Sequence, residues 1–123
     1  MIDVIQSIIQ ELDGIDALHG HIYRRWPRTK VIVPSCIVSR ISATPILTDA
    51  DGTEIITRLV YAVDVNASSA DEADALAEKV TDRLSRYNFH RTGDADLYDD
   101  ITKTSRRAMS FMGTVDIRGK TFT

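Results

Sequence analysis

The sequence predicts an α+β fold: a mostly antiparallel sheet of about four to five strands with two helices packed on one face. Two segments repeat apolar residues at spacings of three and four, while others alternate with period two or are rich in β-branched residues. They fall in the order helix, strands, helix, strands. No internal repeat, low-complexity tract or linker breaks the chain, so residues 1–123 read as a single α+β domain. A chain of 123 residues buries roughly two-thirds of its unfolded surface, enough for a core without metal or disulfide.

Ile2, Ile5, Ile8, Ile9 and Leu12 define an amphipathic helix over residues 2–12, closed at Asp13-Gly14 by a glycine that tolerates the left-handed conformation. Residues 15–23 carry no clear period and admit a short turn or an extended piece. Pro27 and Pro34 bracket a stretch confined to a loop or a sheet edge, because proline donates nothing to a strand ladder. Residues 35–42 alternate, with Ile37, Ser39 and Ile41 opposite Cys36, Val38 and Arg40, and form a strand that Thr44-Pro45 interrupts. Asp51-Gly52 is hairpin chemistry. Residues 54–67 then make the longest strand, placing Ile55, Thr57, Leu59, Tyr61, Val63 and Val65 on its core face.

The second helix is the clearest element. Ser69 and Glu72 have capping-box spacing, acids crowd its start and Lys79, Arg83 and Arg86 its end. Its apolar stripe is Ala73, Leu76, Ala77, Val80, Leu84 and Tyr87. A short strand over residues 89–92 precedes an acidic loop over 94–100. The last strand covers about residues 105–117, with Met109, Phe111, Val115 and Ile117 on one side. Gly113 falls on that side too, where a missing side chain lets a neighbour pack close. Residues 118–123 show no period.

Composition excludes several functions. Fifteen Lys and Arg against eighteen Asp and Glu give a net charge of −3, unlike the strongly basic domains that bind nucleic acid. Cys36 is the single cysteine, so no disulfide within the chain and no cysteine metal cluster is expected. No apolar run is long enough to span a membrane, and the start lacks the basic residues of a signal peptide; a soluble protein of a reducing compartment is expected. The charge is also segregated: residues 1–20 hold four acids and no base, and residues 21–48 five bases and no acid. Residues 49–78 hold eight acids against Arg58 alone. Such blocks suit self-association through complementary surfaces.

No catalytic constellation stands out. His19 and His21 lack a neighbouring ligand set, and Cys36 sits in an apolar strand as a small core residue rather than beside a base. Asp94, Asp96, Asp99 and Asp100 lack the spacing of a calcium loop. His90 with Asp64 or Asp99 is an acid–base pair by residue type alone. No catalytic residue, cofactor or metal is therefore expected. Arg24-Arg25-Trp26-Pro27-Arg28 mixes guanidinium groups with the only tryptophan, a composition typical of interfaces. Arg106 and Arg107, adjacent on a strand, must point to opposite faces.

The order of these signals resembles that of the tail completion, or tail terminator, proteins of long-tailed bacteriophages and prophages. The resemblance spans about residues 2–117 and rests on the Ser42–Pro45 bend, the Ala67–Ala77 strand-to-helix junction and the stretch from Phe89 through Tyr98. It implies a structural protein, not an enzyme, with no cofactor. Such a protein forms a hexameric ring on the head-proximal end of the tail tube, stops tube polymerisation and joins the tail to the head connector. The implied partners are further copies of itself, the tail-tube protein and a head-completion or connector protein, with DNA passing through the lumen unbound. The implied location is the virion, after assembly in the bacterial cytoplasm, with no membrane involved.

Ring closure needs a heterologous contact between two different surfaces. Arg24, Arg25, Trp26 and Arg28 are the candidates for a subunit or tube contact. Asp49, Asp51, Glu54, Asp94, Asp96, Asp99 and Asp100 are the candidates for the lumen or the opposing contact. The competing expectation is a small homo-oligomeric α+β module binding a small ligand or RNA through Arg58, Tyr61 and Arg106.

Overall fold

The computed structural model describes residues 3–25, 33–101 and 103–122. Helix α1 covers Ile5–Asp13 and is followed by a short 3-10 turn, Asp16–Leu18. Strands β1 (Ile22–Tyr23), β2 (Ser35–Thr48) and β3 (Glu54–Ala67) lead into helix α2 (Ala70–Arg86). Strands β4 (His90–Asp99), β5 (Thr104–Asp116) and β6 (Thr121–Phe122) complete the chain.

The main strands run in the order β1-β2-β3-β5-β4, with β6 continuing the row of β4 along the same side of β5. Among the described residues only β1 and β2 are parallel, so the sheet is mixed and mostly antiparallel. Both helices cover one face, as the sequence predicts for this α+β fold. Ile5, Ile8 and Leu12 of α1 join Ala73, Leu76, Ala77, Val80 and Leu84 of α2 in one buried cluster. From the sheet, Cys36 and Val38, then Leu59, Tyr61, Val63 and Val65, then Met109, Phe111 and Val115 complete it. Each fully buried large side chain among them contributes about 1.5–3 kcal/mol relative to exposure.

Several expectations are corrected. The first helix starts at Ile5, not Ile2, because the Asp3 carboxylate accepts the Ile5 N–H at 3.0 Å. Gly14 stays right-handed (φ −71°); its lack of a side chain admits Arg83, whose guanidinium donates to the Gly14 carbonyl at 3.1 Å. Strand β2 runs on through Pro45 to Thr48, absorbing the proline beside register shifts at Pro45/Leu47. The Ser69 hydroxyl accepts the Glu72 N–H, but the Glu72 carboxylate turns to Ser68 instead of closing the box. The expected acidic loop over 94–100 is mostly strand, since β4 extends through Asp99 with a bulge between Arg91 and Gly93. The tail adds β6, which pairs with Thr114 and Val115.

The start of the chain is fixed from beneath. Tyr61, fully buried, donates its hydroxyl to Asp3 Oδ1 at 2.6 Å and accepts the Val4 N–H at 3.0 Å. Burial, then the Asp3 carboxylate, pushes the Tyr61 phenol well above its usual range. Asp3 in turn meets Arg40 at 3.4 Å.

Candidate interaction surfaces

The two outer edges of the sheet carry the features of interest. On the β1 side, the Cys36 N–H donates to the His21 carbonyl at 3.0 Å and sets β1 beside the start of β2. The chain bends after Tyr23, leaving Arg24 and Arg25 exposed. They rim an open cleft of about 540 Å³, together with Arg40 and Ser39, over a floor of Ile5, Ile22, Tyr23 and Val38. Ile5 and Val38 are buried, so this floor is the outer margin of the core. Trp26 and Arg28 lie outside the described residues. Among the described residues, β2 beyond Ile37 has no strand partner on its outer side.

On the opposite edge, among the described residues, β4 pairs only with β5, and its side chains are almost all exposed. Four acids lie here. Asp94 and Asp96 share the helix side of the sheet with Arg107, which meets Asp94, Asp96 at 3.1 Å and Asp74 of α2 at 2.6 Å. Arg91 adds contacts to Asp94 at 3.4 Å and Glu78 at 3.6 Å. The Arg107 hydrogen bond, helped by the charges of Arg107 and Arg91, holds the Asp94 carboxyl below the usual range despite partial burial. The hydrogen bond that Arg107 donates to Asp94 likewise pushes the Arg107 guanidinium above its usual range. This cluster fastens α2 to the edge strand.

Asp99 accepts the Ile101 N–H at 2.9 Å at the β4–β5 tip, and Asp100 is exposed beside it. Asp49, Asp51 and Glu54 are elsewhere, at the β2–β3 tip. Asp49 Oδ1 accepts the N–H groups of Asp51 and Thr53 there, and Glu54 pairs with Thr48. The two tips lie at opposite ends of the sheet, separated by the strand from Ile56 to Ala67, roughly 35 Å at ~3.3 Å per residue. The seven acids proposed from sequence as one group therefore form two groups in a single copy.

Sequence reasoning missed the apolar side chains on these tips. Leu97, Tyr98 and Ile101 are 44, 60 and 92% exposed on the β4–β5 hairpin. Ile41, Ile46 and Leu47 are 58, 48 and 47% exposed along β2. The available signal was Ile101 itself, an isoleucine in an Asp-Asp-Ile-Thr-Lys turn where polar residues are the rule.

The other residues picked from sequence do not converge. Tyr61 faces the helices, while Arg58 and Arg106 lie on the opposite face, so the three share no surface. His90 pairs with Met112 and Asp64 with Ala108, four residues apart on β5, or roughly 13 Å along the strand. Asp99 lies at the other end of β4 from His90. Asp64 has its carboxyl raised by burial, offset by Arg106. Cys36 is fully buried, and burial, then the Asp64 charge, pushes its thiol far above the range of a reactive thiolate. His19, exposed, contacts Asp13 at 3.0 Å, an acid the sequence reading did not pair with it. Among the described residues, no three His, Cys, Asp or Glu side chains are grouped to hold a metal ion. No helix among them is long and apolar enough to cross a membrane.

No protein-family model matches this chain, and a search of curated proteins finds no match either.

Proposed function

We propose that this chain is a structural ring protein of the phage tail-terminator kind. In this reading copies join into a hexameric ring at the head-proximal end of a tail tube, halt tube growth and dock to the head connector, while DNA passes through the lumen. The protein acts in the virion and catalyses no bond chemistry. The observation that supports the reading best is the opposed character of the two sheet edges. A cleft rimmed by Arg24, Arg25 and Arg40 lies at the β1–β2 edge, and at the other lies an acidic strand that ends at Asp99 with Asp100 next in the turn. Two different, complementary edges are what a head-to-tail closed assembly requires.

The test is tube capping. Tail-tube protein encoded in the same genome is polymerised with and without the purified chain, and tube lengths are measured by electron microscopy. The reading expects capped tubes with rings at one end. Charge reversal of Arg25 and Arg28 to Glu is expected to abolish the rings while leaving the circular dichroism spectrum unchanged. Uncapped tubes with wild-type protein would refute the terminator role, and full capping by the variant would remove these arginines from the contact.

A further inference from the structure

We propose that the β4–β5 tip of one copy seats in the β1–β2 cleft of a second copy, placing Tyr98, Asp100 and Ile101 against Arg24, Arg25 and Arg40. This rests on the head-to-tail half of the reading above and not on the phage role.

The tip has the form of a knob. Ile101, 92% exposed, stands in the turn after Tyr98, 60% exposed, and the two carboxylates Asp99 and Asp100 lie between them on the β4 side of the turn. Single exposed apolar residues are ordinary, but an aromatic and an aliphatic side chain this exposed, three residues apart at one hairpin tip, mark a binding surface. The cleft has the complementary form: an apolar floor of Ile5, Ile22, Tyr23 and Val38 inside a rim of three guanidinium groups. Its volume of about 540 Å³ falls in the ~300–1,000 Å³ range of concave recognition sites.

Each side also carries an opposing charge. Lys103 also sits near the tip and Asp3 contacts Arg40 at the rim. The tip keeps an acidic excess and the rim a basic one, with Arg24 and Arg25 pointing into solvent. Carboxylates beside an apolar knob and arginines around an apolar floor give both steering and register.

Topology selects a second copy as the occupant. The cleft lies at the β1–β2 edge and the tip belongs to β4–β5, three strands away at the other edge. A chain cannot fill its own cleft with its own tip. Two copies that make this contact once leave one free tip and one free cleft, so the contact propagates and closes only as a ring.

Cysteine crosslinking tests the contact directly, because the native Cys36 is fully buried and stays silent. Ile101→Cys protein is mixed with Ser39→Cys protein, whose substitution lines the cleft, and oxidised mildly; Ser85→Cys on the exposed side of α2 is the control. The Ile101→Cys and Ser39→Cys pair is expected to give interchain dimer at about tenfold the yield of the control pair, falling about fivefold in about 1 M salt. A single chain carrying both substitutions is expected to give a ladder of multimers. Arg25→Glu lowers the yield and Asp100→Arg in the partner restores it.

Equal yield from the Ser85→Cys control overturns the proposal. So does a protein that sediments as a monomer at roughly 0.5 mM. Crosslinked rings that leave tail tubes uncapped would sink the terminator reading alone, whereas capped tubes without the crosslink would sink this interface alone.

Discussion

Gly113 gives the sharpest test of the packing. It lies on the core side of β5 opposite Leu59, and the ring of Phe89 rests on its backbone. A Cβ built there would lie 2.7 Å from Phe89 Cδ1 and Cε1, and 2.8 Å from Cγ. Phe89 has little room to retreat. It is fully buried, tilted against Tyr61 at a centroid distance of 5.7 Å and stacked on Tyr87 at 5.8 Å. Gly113→Ala therefore overpacks a rigid aromatic cluster, a change that costs about 1–3 kcal/mol. Contacts this short put the cost in the upper half of that range, about 2–3 kcal/mol. Since alanine recovers about 0.5–1 kcal/mol by restricting the unfolded chain, the net loss is about 1–2.5 kcal/mol. At ~2.1 cal/mol/K of unfolding entropy per residue, that lowers Tm by roughly 4–10 °C in a chain of this length.

The assay is thermal unfolding followed by circular dichroism, with Gly113→Ala, Phe89→Leu and the double variant. Phe89→Leu removes ring volume where the new methyl would sit. The double variant is expected to be more stable than the two single losses added together, with a coupling of about 1 kcal/mol. A Gly113→Ala protein that melts with wild type, or strictly additive losses, would refute the placement of Phe89 on Gly113.

Two other substitutions probe the polar anchors. Tyr61→Phe keeps the ring but strands the buried Val4 N–H and removes the 2.6 Å bond to Asp3; a loss of about 1–3 kcal/mol is expected, with faster hydrogen exchange at Val4, read by urea unfolding and NMR. Because the folded phenol lies above its unfolded value, that stability is fully present below about pH 10 and is lost as pH rises beyond it, and the variant should lack this alkaline loss. Arg107→Met removes the guanidinium shared by Asp74, Asp94 and Asp96, and about 1–2 kcal/mol should disappear at neutral pH and low salt, since Asp74 and Asp96 are largely exposed. Asp94 titrates lower in the folded chain, so its contribution is present above the unfolded carboxyl value near ~4 and is lost as pH falls through the folded one. The gap between variant and wild type should therefore narrow in acid, and a constant gap in pH-dependent urea titrations would exclude the ion cluster as its source.

Where the sequence reading succeeded, one dominant signal acted on each residue. Strand β3 alternates from Thr57 to Val65 because one face packs into the core beneath the helices, and α2 carries its stripe, cap and charge gradient together. The reading failed where two signals conflict. Asp94 and Asp96 look like loop residues, yet an exposed edge strand accepts charge, and Arg107, distant in sequence, satisfies them from the neighbouring strand. Strand β6 was missed although its turn was already in view. Asp49 and Asp116 each accept two backbone N–H groups two and four residues on, and each is followed at the third position by a glycine at φ near +80°. The Asp-Ala-Asp-Gly-Thr turn at residues 49–53 and Asp-Ile-Arg-Gly-Lys at 116–120 are the same device, and recognising the first should have located the second. Of the candidate surface, Arg24 and Arg25 were legible from composition. Tyr98 and Ile101 were not, because an apolar residue in a strand pattern is assigned by default to the core.

The acids of β4 divide into two tasks, and the division bears on how an exposed edge serves assembly without promiscuous pairing. A bare edge strand invites any other strand to add to it. Here Asp94 and Asp96 face the helix side, where Arg107 and Asp74 hold the edge against α2. Their charge is spent within the fold and fixes the strand that carries the tip. Asp99 shapes the turn and Asp100 stands in solvent next to Ile101. A tip anchored this way presents its apolar side chains on a rigid support, which lowers the ordering cost of a contact. In the proposed contact these carboxylates would make approach to another acidic edge unfavourable and approach to the arginine-rimmed cleft favourable. In the proposed assembly, edge protection and partner choice would thus come from the same short stretch of sequence, with position along the chain deciding which carboxylate serves which end.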